Sequence, residues 1–138
     1  YFHSGHLAIR AALAANANIT FKILYNDAVA MTGGQPIDGQ ISVPMIAQQL
    51  VAEGISRIAL VTEDLSRYAD RSQLPALVTI NDRKDMETVQ RELREIQGVS
   101  VLIYDQTCAS EKRRRRKRNA YPDPAKRDLV PVILPREL

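Results

Sequence analysis

LVTINDRKDMETVQRELREIQGVSVLIY, residues 77–104, decides the fold. Leu77 to Ile80 is short, apolar and partly β-branched, the composition of a strand. Asp82 followed by Asp85 opens a helix in a variant of the capping box, which prefers Glu or Gln at the later position. Met86, Val89, Leu93 and Ile96 recur at helical spacing and give that helix one apolar face, and Gly98 stops it. Residues 99–104 then return to a strand pattern. Two strands joined through a helix are parallel members of a βαβ unit, because an antiparallel pair needs only a tight turn. The crossover is expected to be right-handed.

The same alternation extends toward the N-terminus. Ser4 to Asn16 predicts a helix, with Ser4 as N-cap and an alanine-rich interior. Residues 19–25 predict a strand. Asn26 to Ser42 holds Gly33, Gly34, Pro36 and Gly39 and predicts a long loop, a kind of segment that is often functional. Pro44 suits a first helical turn, Ile46, Leu50 and Val51 continue it, and Gly54 ends it. A strand over 57–62 and a weak helix over 65–73, ending before Pro75, complete the body. The expected fold is α/β: a three-layer parallel sheet with helices on both faces and no internal repeat. Ligands in such sheets bind beyond the carboxyl ends of the strands, which singles out Asn26 to Gln40.

Charge is unevenly distributed. The chain has 19 Lys and Arg against 16 Asp and Glu, net +3. Residues 1–110 hold 9 basic and 12 acidic groups, whereas residues 111–127 hold 9 basic and 2 acidic. Lys112, Arg113, Arg114, Arg115, Arg116, Lys117 and Arg118 follow one another without a break. Mutual repulsion and the lack of an apolar face predict a loop. Pro122, Pro124, Pro131 and Pro135 then predict an extended tail. The organisation expected is a body over 1–108 and a basic loop and Pro-containing tail over 109–138. With 45% apolar and 25% charged residues, collagen-like, disulfide-scaffold and wholly disordered readings are excluded. No apolar run approaches the roughly 20 residues of a membrane span. One cysteine, Cys108, closes no internal disulfide and fits a reducing, cytoplasmic compartment. It reads as a buried or half-buried thiol, and His6 as a helix residue without chemistry.

Two stretches carry candidate chemistry. His3-Ser4-Gly5 opens a helix whose amides and positive dipole end suit a phosphate; a plain N-cap beside an exposed histidine is the simpler alternative. In Tyr25-Asn26-Asp27-Ala28-Val29-Ala30-Met31-Thr32-Gly33-Gly34-Gln35-Pro36, Asn26 and Asp27 are hard oxygen donors suited to Mg²⁺. Thr32, Gly33 and Gly34 bring amides to a phosphate. A solvated surface loop is the alternative. The basic run also raises a nucleic-acid-binding module, but apart from Tyr121 it lacks the aromatics that stack bases. A purely structural α/β domain is the third reading.

These phrases, together with Val89-Gln90-Arg91-Glu92-Leu93-Arg94-Glu95, Tyr104-Asp105-Gln106-Thr107-Cys108 and the Glu111 to Arg118 run, resemble the thiamine-diphosphate-binding part of indolepyruvate ferredoxin oxidoreductases, within the 2-oxoacid:ferredoxin oxidoreductase superfamily. The resemblance spans nearly the whole chain. It implies a thiamine-diphosphate-binding fold of the pyrophosphate-binding type. It implies an enzyme that oxidatively decarboxylates an aryl pyruvate to an acyl-CoA, passing electrons through iron–sulfur clusters, held elsewhere in the parent protein, to ferredoxin. It places Asn26 and the Ala28 carbonyl on Mg²⁺, Thr32, Gly33 and Gly34 near the diphosphate, and His3 and Ser4 beside an acidic ligand that precedes Tyr1 in the family; Gly5 and Asp27 are expected to bind the cofactor with them. The chain is therefore expected to be a fragment, truncated at its start, inactive alone and without a catalytic residue of its own. Its expected partners are other domains of the parent enzyme, a 2-oxoacid, coenzyme A, ferredoxin and further copies in a homo-oligomer, with no membrane and no nucleic acid.

Overall fold

The last strand of the body, β4 (Val99–Asp105), is buried at six of its seven residues because it has a neighbour on each edge and a layer on each face. The computed structural model describes residues 1, 4–26, 39 and 41–123. In chain order these form α1 (Gly5–Ala14), β1 (Ile19–Tyr25), α2 (Val43–Ala52), β2 (Arg57–Thr62), β3 (Val78–Asp82), α3 (Met86–Arg94), β4 and α4 (Ala109–Lys117), with 3-10 turns over Leu65–Tyr68 and Arg83–Asp85. The four strands make one parallel sheet in the order β1-β4-β2-β3. All four expected strands are present, within two residues at either end.

Side chains alternate across a strand, and the core divides accordingly. Ile58 and Leu60 of β2, Val99, Val101 and Ile103 of β4 and Ile23 of β1 face Ile9 of α1 and Ile46, Ala47 and Leu50 of α2. Ala59, Val61 and Leu102 face the other way, onto Val89 and Leu93 of α3. Helices therefore cover both faces, as the sequence pattern predicts. Gly54 and Gly98, the expected helix stops, have φ of +99° and +89°. Among the described residues, a Cβ at either would meet no atom within 4 Å, so the backbone angle is what favours glycine there.

Local chemistry shifts several boundaries. Residues 65–73 do not form the expected helix. The Asp64 carboxylate takes the Ser66 amide and the Asp70 carboxylate takes the Ser72 amide, which turns the chain after a single 3-10 turn. The Asp82 carboxylate accepts from the Lys84 amide, so a 3-10 turn precedes α3, and Asp85 makes no side-chain cap. Ser4 precedes α1 without a capping hydrogen bond from its side chain.

The largest correction concerns the basic run, a loop by the charge argument. Its first six residues lie in α4. Arg and Lys are good helix formers, and Arg114, Arg115, Arg116 and Lys117 occupy the last turn, where the helix dipole favours cations. Glu111 pairs with Arg114 and Arg115, three and four residues on. Lys112 pairs with Glu63 at the end of β2, and Lys112 and Arg116 both lie over the Tyr121 ring. The helix is thus tied to the body. The expected extended tail lies, from Pro124 onward, outside the described residues. Among the described residues no helix is long and apolar enough to cross a membrane.

Candidate functional site

The register aligns Tyr25, Asp105, Thr62 and Asp82 along the carboxyl edge of the sheet. The connections between α1 and β1 and between α2 and β2 are short, so both helices run against their strands. Their N-termini therefore lie at this same edge. Beyond it opens a cleft of about 430 Å³ lined by Tyr25, Ser42, Val43, Pro44, Arg67, Tyr68, Asp70, Gln73, Leu74 and Asp105.

Asn26 directly follows β1. Its carbonyl accepts from the Cys108 amide at 3.3 Å, and the Tyr25 carbonyl accepts from the Gln106 amide at 3.1 Å. The segment after β4 thus extends the parallel pairing and fixes the main chain of Asn26 at the edge. Ser4 and Gly5 begin α1. Among the described residues, a Cβ on Gly5 would meet only Tyr1 Cβ, at 3.7 Å, an ordinary contact. The other residues singled out by sequence, His3, Asp27, Ala28, Thr32, Gly33 and Gly34, lie outside the described residues.

The structure adds a buried carboxylate that sequence reasoning left unassigned. Asp105, 2% exposed, accepts from Tyr68 Oη at 2.7 Å and from Arg67 Nη1 at 3.2 and 3.3 Å. Tyr68 and Arg67 precede Asp105 by 37 and 38 residues in sequence and meet it because β4 lies beside β2. Burial holds the Tyr68 phenol well above its usual range, and its hydrogen bond to Asp105 and the charge of that carboxylate push the same way. A carboxylate ending a mostly apolar strand was the one sequence signal for this cluster.

A pH dependence follows. The unfolded chain's tyrosine loses its proton near pH 10, while folded Tyr68 keeps its own. Above that pH the unfolded state binds fewer protons, so stability falls as pH rises. Tyr68→Phe is expected to unfold at lower urea than the parent at pH 8 and to lose stability less steeply above pH 10. Equal slopes for the two proteins in urea titrations from pH 8 to 11 would contradict the burial of this phenol.

Cys108 is half-buried at the N-cap of α4. The Glu111 and Ser110 amides at the start of α4 hold its thiol below the usual range, aided by the Ser110 hydroxyl and the charge of Arg114. Among the described residues no three His, Cys, Asp or Glu side chains converge to hold a metal ion. Neither the family models nor the curated proteins nor the solved structures compared with this chain give a match.

Proposed function

We propose that this chain is the diphosphate- and Mg²⁺-binding part of a thiamine-diphosphate-dependent 2-oxoacid:ferredoxin oxidoreductase of the indolepyruvate type, with the corresponding thiamine-diphosphate-binding fold. The observation that carries the reading is the place of Asn26. A hard oxygen donor stands at the carboxyl edge of a parallel sheet, its main chain fixed by Cys108, and two helix N-termini lie at the same edge. That is where an α/β sheet takes a phosphate ligand.

The charge of the cleft supports the reading. Among the described residues, the neighbouring cleft carries one cation, Arg67, against two carboxylates, Asp70 and Asp105. Such a cleft disfavours a bare polyanion and suits one neutralised by a divalent cation. In this reading the Asn26 side chain and the Ala28 carbonyl hold Mg²⁺. His3, Ser4, Gly5, Asp27, Thr32, Gly33 and Gly34 line the diphosphate. When bound, thiamine diphosphate would supply the nucleophile and the electron sink that decarboxylation of a 2-oxoacid needs. The chain's own part is to bind and orient. The partners proposed are the remaining domains of a cytoplasmic parent enzyme, which hold the iron–sulfur clusters, and through them an aryl pyruvate, coenzyme A and ferredoxin.

Asn26→Ala in the full-length polypeptide tests this. The thiamine diphosphate Kd at fixed Mg²⁺ is expected to rise at least about tenfold, the loss of one metal oxygen, with the apo-protein's melting midpoint unchanged. An unchanged Kd sinks the assignment.

A further inference from the structure

We infer that the outer face of α4 is a docking surface for a protein that presents a cluster of carboxylates. The inference rests on how the helix distributes its cations and stands apart from the cofactor reading.

At 100° per residue the helix sorts its side chains into two arcs. Glu111, Lys112, Arg114, Arg115 and Arg116 are half-buried, and Ala109, Ser110, Arg113 and Lys117 are exposed. The inner cations are engaged: Lys112 by Glu63, Arg114 and Arg115 by Glu111, and Arg116 by the Pro122 carbonyl at 2.9 Å and the Tyr121 ring. The outer arc carries Arg113 and Lys117 one turn apart, and Arg118 follows at the C-cap, exposed as well. Among the described residues these three side chains have no acidic partner. Arg113 and Lys117 are thereby held on the outer face of the helix with Arg118 exposed at its end, beside four inner cations that Glu63 and Glu111 only partly offset.

Two observations favour a carboxylate-bearing protein over a nucleic acid. Tyr121, the aromatic beside the run, is covered by Lys112 and Arg116 and is not free to stack on a base. Residues 1–110 are net −3, which opposes a long polyanion lying across the body, whereas a compact acidic patch meets α4 alone. Arginine also matches carboxylates with two parallel hydrogen bonds.

The test uses the full-length polypeptide, a fluorescent glutamate-rich peptide and a fluorescent DNA duplex of equal charge. Arg113→Gln, Lys117→Gln and Arg118→Gln are combined, which keeps helix propensity. A second variant replaces the same three residues by Glu. Unchanged melting midpoints show that the fold is kept. The Gln variant is expected to raise the peptide Kd about 10-fold to 100-fold. Raising NaCl from about 0.05 M to about 0.2 M weakens the parent's binding more than the variant's. The Glu variant is expected to lose the acidic peptide and gain a lysine-rich one. Three outcomes overturn the inference: no binding of the acidic peptide by the parent, an unchanged Kd in the variants, or loss of duplex binding in the variants equal to or greater than the loss of peptide binding.

Discussion

Asp105→Ala is expected to cost about 3–5 kcal/mol, the range for removing one partner of a buried charged cluster. The carboxylate is buried at the end of the central strand β4 and satisfies both the Tyr68 hydroxyl and the Arg67 guanidinium. Its removal leaves the phenol without its acceptor in a half-buried site and opens a hole at the carboxyl edge. Arg67 is 39% exposed and turns to water, which places the cost toward the lower end of the range. Asp105→Asn keeps an acceptor for Tyr68 and is expected to lie between parent and Ala variant. Urea midpoints at constant slope measure the order. A cost under about 1 kcal/mol for the Ala variant, the scale of an exposed pair, would mean that the cluster does not hold the 65–74 segment to β4.

Leu60→Ala is expected to lose about 2–5 kcal/mol. Leu60 is 0% exposed, on the strand between β4 and β3, and packs in the larger core beneath α1 and α2. The sheet is held on both sides at this position, so the site collapses little and the cavity persists. Leu24→Ala is the control. Leu24 lies on the edge strand β1 at 65% exposure, and its loss is expected to change stability by no more than about 0.5 kcal/mol. Similar values for the two substitutions would contradict the division into a central and an edge strand.

The strands were legible because each is a short β-branched run, and Gly54 and Gly98 mark the ends of the helices before β2 and β4. The helices on the two faces followed from the apolar spacing in 86–96 and 46–51. What sequence could not supply was the order β1-β4-β2-β3. No local pattern records that β4 inserts between β1 and β2, and the Asp105, Tyr68 and Arg67 cluster exists only because it does. The basic run shows the same limit. Counted locally, seven adjacent cations repel. Glu63, which takes one of them, is 49 residues away in sequence. Of the candidate site, the position of Asn26 at a strand's carboxyl end was legible from the strand pattern over 19–25, since a parallel sheet makes that end a ligand edge.

The Cys108 peptide links two parts of the molecule that otherwise look independent. Its N–H donates to the Asn26 carbonyl, and its carbonyl accepts from the Lys112 amide at 2.9 Å in the first turn of α4. Opening that turn therefore loosens the hold on Asn26. In hydrogen exchange, protection at Lys112 and at Cys108 is expected to rise and fall together, as one cooperative unit. A molecule that stiffens α4 from its outer face also narrows the motion of Asn26 and lowers the entropic cost of ordering that residue around whatever it binds.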